Sequence, residues 1–418
     1  MELNQQRVVV TGMGIISPLG NDVDTFWSKL KTGQSGISTI ETDDFDIAQF
    51  ATRIAGQVRE FDPEAVFGRK EARKMDRFVQ FALYAAEQAV QDARLDTERI
   101  DRERFGVYVG SGIGGIKTLT DNMEAYQSRG PGRVSPSLVP MMISNMAAAQ
   151  ISIRFGAMGP TMAPVTACSI GNTAIGEAFR LICGGEADVI VAGGAEAAIH
   201  PLSLASFGNA TALSKRGGAP ERVSRPFAAD RDGFVMAEGA GILVLESLEN
   251  ALRRGAPIHG EVIGYGASSD AYHVVASHPE GTGAYLAMKR ALQSAGIDPA
   301  EVDVVSAHAT STQVGDSAET KALKRLFGEA AYRIPVTANK SMTGHMFGAA
   351  GGAEAIALVK SLGEGVIPPT INLEQPDPEC DLDYVPGAAR EAALNIGISN
   401  SFGFGGHNAA IVLRRYSE

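Results

Sequence analysis

The sequence predicts an α/β protein made of two similar halves, and three observations support this prediction. The tetrapeptide PVTA occurs at 164–167 and again at 335–338, each time as a β-branched run that leads into small, Gly-rich residues and then a helical pattern. A helix-then-strand pattern precedes each copy, and two β-branched strand patterns follow it. This alternation favours right-handed crossovers and a mainly parallel sheet in each half.

In the first half, a buried strand is predicted at 7–11, and Gly12, Gly14 and Pro18 are expected to end it. A helix is predicted over 69–94, where apolar residues recur every three or four positions. The further elements, in order, are a strand at 105–110, an inserted cap near 116–145, a strand at PVTA, a helix at 170–183, and strands at 188–194 and 241–247.

The second half repeats this order without the cap. Its predicted elements are a helix at 285–296, a strand at 303–308, a strand at PVTA, a helix at 349–361, and strands at 395–401 and 409–415. We place the boundary near 255, which gives an N-terminal half at 1–255 and a C-terminal half at 256–418. No low-complexity linker separates them, so we expect the halves to pack together with the small-residue helices between their sheets.

The composition argues against several classes of protein. The 418 residues carry a net charge of −11, which argues against nucleic acid as the main partner. No apolar run reaches the roughly 18 residues that span a bilayer, so no membrane insertion is expected. Three cysteines and the lack of a recognisable secretory leader fit a reducing cytoplasm, where we expect the protein to act.

Cys168 is the leading candidate for a catalytic residue. It lies in PVTACSIGNT, at the predicted turn from strand to helix. A helix that starts there directs its positive dipole and free N–H groups at the sulfur, which favours a nucleophilic thiolate. The same N–H groups can stabilise an oxyanion on a bound acyl carbonyl. The alternative is a buried structural thiol, which is the interpretation favoured for Cys183.

Two histidines lie at matching positions in the second half. His308 ends a predicted strand, where ligands meet the open edge of an α/β sheet, and His345 follows the second PVTA. Opposite a cysteine in the repeat, they suggest proton handling during nucleophilic catalysis. Lys340 and Glu354 lie near them in sequence and could orient an imidazole or shift its pKa, although a structural ion pair explains them equally well.

Two Gly-rich segments are candidates for pocket walls. GSGIGG at 110–115 matches the dinucleotide pattern, but the acidic residue expected about 20 positions later is missing, so lining of a pocket by Ile113 is the favoured interpretation. In SNSFGFGG at 399–406, Phe402 or Phe404 could act as a mobile gate. The alternative for this segment is a tight turn with buried rings.

Basic residues cluster on an otherwise acidic chain, at Arg69, Lys70, Arg73, Lys74 and Arg77. On one continuous helix, Lys70 and Lys74 share a face, as do Arg73 and Arg77. A solvated surface is the ordinary interpretation, and a docking site for a small acidic partner is the functional one.

Together these motifs resemble the β-ketoacyl-[acyl carrier protein] synthases of the elongating type, most like type II, in the thiolase superfamily. The resemblance covers nearly the whole chain and rests on TAC–S–G, SRPFAADRDGFVMAEGAG, AH–TST–GD, NKSMTGH–GAAG and NSFGFGG in this order and spacing. It implies a thiolase-like five-layer αβαβα sandwich of two duplicated halves and a homodimer. It also implies no metal and no bound cofactor, since the phosphopantetheine of acyl carrier protein carries the substrates.

The reaction that the resemblance implies is a decarboxylating Claisen condensation in fatty acid elongation, which gives 3-oxoacyl-[acyl carrier protein] and CO2. By position, Cys168 would accept the acyl group. His308 and His345 would promote decarboxylation of malonyl-[acyl carrier protein] and stabilise the enolate. Lys340 and Glu354 would support the two histidines electrostatically.

The resemblance assigns further roles by position. The N–H groups of Cys168 and Phe404 would form the oxyanion hole, and Phe404, next to Phe402, would gate malonyl entry. The remaining assignments are substrate contacts by Thr310 and Thr312 to the phosphopantetheine arm, an acyl pocket lined by Ile113 and Phe207, and carrier-protein docking by Lys70, Arg73 and Lys74.

One departure from the family pattern concerns Ala309, which follows the first histidine where the family usually has Gly. The main alternative function is a polyketide-type ketosynthase of the same fold. A thiolase would need a second catalytic cysteine, and Cys380 lies outside any matching motif. An NAD(P)-dependent oxidoreductase would need a complete dinucleotide motif in place of GSGIGG.

Overall fold

The computed structural model describes residues 6–417, and strands and helices alternate along most of this span. The strands are β1 Val8–Ile16, β2 Ile37–Thr39, β3 Ile54–Gly56, β4 Phe105–Gly110, β5 Thr161–Met162, β6 Val189–Glu196, β7 Gly239–Ser247, β8 Gly260–Ser269, β9 Val304–Ser306, β10 Val336–Thr337, β11 Val366–Ile367, β12 Arg390–Glu391, β13 Ile396–Gly403 and β14 His407–Arg414. The helices are α1 Val23–Lys31, α2 Pro63–Phe67, α3 Arg69–Ala72, α4 Arg77–Asp92, α5 Ile116–Arg129, α6 Leu138–Met142, α7 Met146–Phe155, α8 Ile170–Cys183, α9 Pro201–Asn209, α10 Leu248–Arg254, α11 Thr282–Ala295, α12 Gln313–Phe327, α13 Lys340–Thr343 and α14 Ala350–Glu364.

The main sheet consists of two halves with the same strand order. The order β5-β4-β6-β7-β1 in the first half corresponds to β10-β9-β13-β14-β8 in the second. Antiparallel pairing of β1 with β8, from Val8–Val262 to Val10–Gly260, joins the halves into one sheet. The predicted duplication is therefore confirmed.

The prediction of a mainly parallel sheet is wrong. In each half the two outer strand pairs are parallel and the two inner pairs are antiparallel. The reason is clearest in the second half, where only the short turn Phe404–Gly406 separates β13 from β14. A turn of that length can join antiparallel strands only, since parallel strands need a long crossover.

Helices cover both faces of each half of the sheet and give five layers. Helices α4 and α7 pack on the outer face of the first half, and α11 packs on the outer face of the second. Helices α8 and α14 contact strands of both halves and form the middle layer. Separate apolar cores fill the spaces between the layers. This is the thiolase-like αβαβα arrangement that the resemblance implies.

The two central helices meet backbone against backbone. A Cβ atom on Gly171 of α8 would lie 2.4 Å from the backbone nitrogen of Gly352, and one on Gly351 of α14 would lie 2.6 Å from that of Asn172. Side chains at these positions are therefore excluded, and the helices approach as closely as their backbones allow.

A single 3-10 turn leads into each central helix, Ala167–Ser169 before α8 and Phe347–Ala349 before α14. The first residue of each turn has a positive φ, 52° at Ala167 and 47° at Phe347. The structural repeat therefore relates these turns and their helices. The two PVTA segments do not have equivalent structures. The second copy contains strand β10, whereas the first copy lies after the end of β5 and is not a strand.

The opening strand is longer than predicted. Strand β1 continues to Ile16 through both of its glycines. A Cβ atom on Gly12 would lie 2.0 Å from the carbonyl oxygen of Ala89, and one on Gly14 would lie 1.9 Å from that of Ala85. These glycines let α4 pack closely on the strand and do not end it.

The predicted helix over 69–94 is interrupted at residues 73–76. Helix α3 ends at Ala72, and α4 starts after Asp76, whose side chain accepts a hydrogen bond from the backbone N–H of Phe78. Lys74 lies in the interruption, so the prediction of shared helix faces for the basic residues is wrong.

The predicted cap region forms α5 and α6 with the 3-10 turn Pro131–Arg133 between them. The predicted boundary at 255 falls in the loop between α10 and β8. Within residues 6–417, no helix combines the length and the apolar character needed to cross a membrane.

Candidate active site

The turn before α8 brings Cys168 against His345. The Nε2 atom of His345 lies 3.0 Å from Sγ of Cys168, and both side chains are buried. Burial raises the pKa of the thiol to about 12, while Lys340 and the backbone N–H groups of Phe404 and Cys168 act in the opposite direction. The backbone N–H groups at the helix start favour the thiolate, as expected, but desolvation outweighs them in the free protein. His345 is instead placed to take the thiol proton.

The two predicted histidines lie side by side. The ring centres of His308 and His345 are 5.5 Å apart, and their planes are nearly perpendicular. Burial, followed by the charge of Lys340, lowers the pKa of each well below its usual value. Both imidazoles are therefore neutral near pH 7. A neutral imidazole offers one N–H donor and one acceptor nitrogen, as proton transfer requires.

Lys340 and Glu354 form a buried, hydrogen-bonded ion pair behind the histidines. Burial raises the pKa of Glu354 to about 7, and Lys340 acts in the opposite direction. The positive charge of Lys340 acts on Cys168 and on both histidines. The sequence analysis had placed Lys340 and Glu354 near the histidines, and Lys340 supplies a positive charge that acts on the thiol.

Sequence reasoning missed Glu319, which holds the His308 turn. Its buried carboxylate accepts hydrogen bonds from the backbone N–H groups of His308 at 3.0 Å and Ala309 at 2.9 Å, and from Nδ2 of Asn400 at 3.0 Å. Ala309 has a φ of 32°, a conformation that favours Gly and is strained for Ala. In the sequence, the signal that could have indicated Glu319 is a charged residue one helical turn after Asp316, on the inward face of α12.

A cavity of about 410 Å³ gives access to this centre. The hydroxyl oxygens of Thr310 and Thr312 lie 3.1 Å apart on one wall. Val275 and Val314 are roughly half exposed beside them. Seven predicted site residues line the cavity together: Cys168, His308, Thr310, Thr312, His345, Phe402 and Phe404.

Ile113 and Phe207 do not line this cavity but belong to an apolar cluster next to it. The apolar cluster comprises Ile40, Ala55, Cys168, Ala198, Leu204, Leu213, Phe234, Met236 and Phe347, with Ile113 and Phe207 packed against it. The ring of Phe207 stacks on Phe347 with centres 5.3 Å apart and lies 6.3 Å from the ring of Phe404. Phe347 contributes to both the cavity and the apolar cluster, so the two are adjacent.

The GSGIGG loop holds a carboxylate of this chain. Glu196, at the end of β6, accepts hydrogen bonds from the backbone N–H groups of Gly112 and Ile113 and from the hydroxyl of Ser111. These are the groups that a nucleotide phosphate would need, and a carboxylate of the same sign occupies them. The structure therefore opposes the dinucleotide interpretation. Nothing in the sequence motif indicated Glu196.

The predicted docking residues lie on the surface, away from the cavity lining. Lys70 is exposed. Arg73 lies 3.5 Å from Glu64, and Lys74 lies 2.8 Å from Glu71. Two of the three cations are therefore engaged in exposed intrachain ion pairs, which salt screens readily. Among the described residues, no cluster of His, Cys, Asp or Glu is suited to hold a metal ion.

Comparison with known proteins identifies the family. Residues 5–251 match the family model described as beta-ketoacyl synthase, N-terminal domain, and residues 259–374 match the beta-ketoacyl synthase, C-terminal domain. The chain therefore belongs to the beta-ketoacyl synthase family.

Named relatives match over nearly their full length. The chain is 50% identical over 414 residues to a 3-oxoacyl-[acyl-carrier-protein] synthase 2 of Synechocystis, covering 99% of each chain. It is 48% identical over 411 residues to the protein of the same name from Staphylococcus aureus, covering 98% of this chain and 99% of the other.

Solved structures show the same fold. A beta-ketoacyl synthase from Burkholderia phymatum superimposes with a TM-score of 0.91 at 35% identity, over 99% of this chain and 100% of that one. A type II PKS ketosynthase, bound to the hexaketide and in complex with its acyl-carrier protein, gives a TM-score of 0.91 at 36% identity with the same coverage.

Proposed function

We propose that the chain is an acyltransferase of fatty acid elongation that condenses an acyl thioester with malonyl-[acyl carrier protein]. The products are 3-oxoacyl-[acyl carrier protein] and CO2. The observation that carries the proposal is the 3.0 Å contact of Cys168 with His345, with His308 beside it, at the end of an open cavity. Identity of 48–50% to relatives named for this reaction supports it.

In the first half-reaction, the Cys168 thiol attacks the acyl thioester carbonyl while Nε2 of His345 takes the thiol proton. The N–H groups of Cys168 and Phe404 stabilise the oxyanion, a role supported by their action on the sulfur. Collapse of the intermediate leaves the acyl group on Cys168 and releases the carrier thiolate, which takes up one proton from solvent, while His345 keeps the thiol proton at Nε2.

In the second half-reaction, the malonyl thioester loses CO2, and the electron pair of the broken C–C bond moves into an enolate. His308, as a neutral imidazole, and His345, through the proton that it holds at Nε2, donate hydrogen bonds to the enolate oxygen, and the nearby positive charge of Lys340 also stabilises the enolate. The enolate carbon attacks the acyl carbonyl, and the new C–C bond displaces the Cys168 thiolate. The thiolate then regains its proton from Nε2 of His345.

The remaining residues contact the substrate. Thr310 and Thr312 hold the phosphopantetheine arm in the cavity with Phe402, and the chain needs no further cofactor or metal. Phe404 gates the passage, and the acyl chain extends into the apolar cluster past Phe207 and Ile113. The stacking of Phe207 against Phe347 next to the thiol supports this path.

Acyl carrier protein is the proposed macromolecular partner, and Lys70, Arg73 and Lys74 dock it. The complex of a similar ketosynthase with its acyl-carrier protein supports this partner. We further propose a homodimer, formed through the edge strand β5. Met158 and Met162 next to this edge are 69% and 52% exposed, and a second copy would bury them. The site of action is the cytoplasm.

The test is a reconstituted condensation. Purified protein is mixed with malonyl-carrier protein and carrier proteins loaded with C4 to C18 acyl groups, and the products are followed by mass spectrometry. A product longer by two carbons with a 3-oxo group is expected for at least part of the series. Acylation of Cys168 without chain extension would overturn the proposal.

A polyketide-type ketosynthase is the second candidate, because a type II PKS ketosynthase shares the fold at a TM-score of 0.91. The same assay separates the two functions. Repeated extension of one chain without reduction of the 3-oxo groups would support the polyketide function, whereas a single extension supports fatty acid elongation.

A further inference from the structure

One carboxylate connects two separate parts of the apolar cluster. Glu196 is fully buried at the end of β6. Its Oε1 atom accepts hydrogen bonds from the backbone N–H of Ile113 at 3.0 Å and the Ser111 hydroxyl at 2.8 Å. Its Oε2 atom accepts from the backbone N–H groups of Gly112 at 2.9 Å and Gly348 at 3.2 Å. The loop that carries Ile113 and the turn that carries Phe347 therefore share one anchor.

The surroundings are built for this carboxylate. A Cβ atom on Gly112 would lie 3.0 Å from Oε2, and a Cβ atom on Gly348 would also lie 3.0 Å from it. Three of the four contacts described for Glu196 are backbone N–H groups, which can only donate and therefore favour the ionised form, and the Ser111 hydroxyl also donates to it. Burial raises the pKa of Glu196, and these donors act in the opposite direction.

The Ile113 loop and the Phe347 turn both lie along the proposed substrate path. Ile113 packs against the apolar cluster that contains Cys168. Phe347 stacks on Phe207 and lines the cavity, and its ring centre lies 4.8 Å from that of His345. A change at Glu196 would move these two walls relative to each other without touching the reacting atoms.

We propose that Glu196 is a positioning residue that sets the spacing between the Ile113 wall and the Phe347 wall and thereby the acyl chain-length preference. This inference rests on the proposed function because that function makes the occupant of the pocket an acyl chain. The hydrogen bonds of Glu196 do not depend on it. Glu196 also lies close enough to Cys168 for its negative charge to oppose the thiolate. Loss of a residue that only stabilised the fold would change neither the chain-length preference nor the reactivity of the Cys168 thiol in particular.

Glu196→Gln is the informative variant. A side-chain amide has one acceptor oxygen and one donor nitrogen, so it can satisfy only one of the two donor pairs. With the amide nitrogen facing Ser111, whose hydroxyl can turn to accept, the N–H of Ile113 loses its acceptor. We expect the Ile113 loop to shift while the anchor at Gly348 is kept.

A matched control is Glu246→Gln. Glu246 is equally buried in β7 but pairs with Val189, at the opposite end of β6 from Glu196. Its substitution also removes a buried carboxylate and tests whether general destabilisation alone changes the readouts. Ser111→Ala removes a single donor and serves as the milder second variant.

The experiment measures two properties of each variant. The first is single-turnover acylation of Cys168 from hexanoyl- and tetradecanoyl-carrier protein, detected by mass spectrometry. In Glu196→Gln, the ratio of the tetradecanoyl rate to the hexanoyl rate should fall about fivefold, since misfit in a packed apolar site penalises the longer chain. The second is alkylation of Cys168 by iodoacetamide between pH 6 and pH 10. All of this range lies below the pKa of the thiol, so loss of the nearby negative charge should raise the alkylation rate about threefold to tenfold at every pH tested.

Glu246→Gln should change neither readout, and Ser111→Ala should lower the chain-length ratio about twofold. The proposal would be overturned if Glu196→Gln lowered the acylation rate equally for both chain lengths and left the alkylation rate unchanged. If Glu196→Gln does not fold, an unchanged chain-length ratio in Ser111→Ala would overturn it. Failure of the wild type to condense with malonyl-carrier protein would refute the proposed function alone, because acylation and alkylation are measured without condensation.

Discussion

The Nε2 atom of His345 lies 3.0 Å from Sγ of Cys168, although 177 positions separate the two residues in the chain. Cys168 lies in the turn that leads into α8, and His345 lies two residues before the corresponding turn into α14, so only the packing of the two halves brings them together. The contact couples the nucleophile to its base across the seam of the duplicated fold.

Replacement of the nucleophile should separate the two half-reactions. Cys168→Ala should abolish acyl-enzyme formation and condensation, because Cys183 and Cys380 do not line the cavity. Cys168→Gln should retain or raise malonyl decarboxylation, since its amide can occupy the oxyanion hole as an acyl group would. Mass spectrometry of the acylated wild type locates the adduct, and an adduct on Cys183 or Cys380 would refute the assignment.

Acid should destabilise the fold through the buried histidines. The pKa values of His308 and His345 are lowered by burial, so below about pH 6.5 the unfolded chain binds protons that the folded chain does not. The free energy of unfolding should therefore fall with falling pH, by about 1.4 kcal/mol per pH unit for each histidine. Urea unfolding at pH 7.5, 6.0 and 5.0 measures this slope.

The comparison that isolates this effect is His308→Asn against the wild type. Buried carboxyl groups whose pKa is raised, such as Asp316, change the pH dependence in the opposite direction in both proteins. Only the difference between the two slopes reports on the histidine. Parallel curves for the two proteins would mean that His308 is protonated equally in the folded and unfolded states.

Ala309→Gly should stabilise the protein. Relief of the positive φ contributes about 1–3 kcal/mol, and the greater freedom of Gly in the unfolded chain costs about 0.4–1 kcal/mol. We expect a net gain of about 1 kcal/mol in the free energy of unfolding, measured by urea denaturation, with condensation activity retained. A loss of stability would show that the Glu319 contacts already relieve the strain at this turn.

Charge reversal at the basic cluster should weaken encounter with the carrier protein. The double variant Lys70→Glu, Lys74→Glu should raise the KM for acyl-carrier protein about threefold to tenfold in 50 mM salt, and less at 500 mM, because surface electrostatics act on encounter and are screened. Kinetics with small pantetheine thioesters should be almost unchanged.

The double variant Lys289→Glu, Arg415→Glu, at two exposed positions outside the basic cluster, is the matched control because it changes the net charge by the same amount. If it raises the KM for the carrier protein as much as the double variant does, the effect belongs to overall charge and not to a docking site. Equal losses on carrier-bound and small thioesters would instead indicate damage to the fold.

Sequence reasoning predicted the chemistry of the site better than its supports. Cys168, His308 and His345 were found because they sit at the ends of recognisable strand and helix patterns, and the structure brings them together. Glu196 and Glu319 were missed because each acts through backbone N–H groups contributed by distant segments. A sequence pattern identifies side chains, but it does not show which amides point toward them.

The errors in the predicted fold have a similar cause. Gly12 and Gly14 were interpreted as strand ends because Gly weakens a strand when only the strand is considered. In the structure they are contact points with α4, which lies about 75 positions further along the chain. The antiparallel inner pairs were missed because alternation of strands and helices in the sequence does not reveal the order of strands in the sheet.

The close contact of Gly171 with Gly352 has a consequence for how this enzyme can diversify. Because the central helices meet through backbone atoms at Gly171, Gly351 and Gly352, no rotamer change at these glycines can alter their spacing, and the turns that carry Cys168 and Phe347 lead into helices whose separation is fixed there. If the acyl chain follows the proposed path, side-chain exchanges at Ile113 or Phe207 would change the substrate range and leave the spacing of the two central helices unaltered.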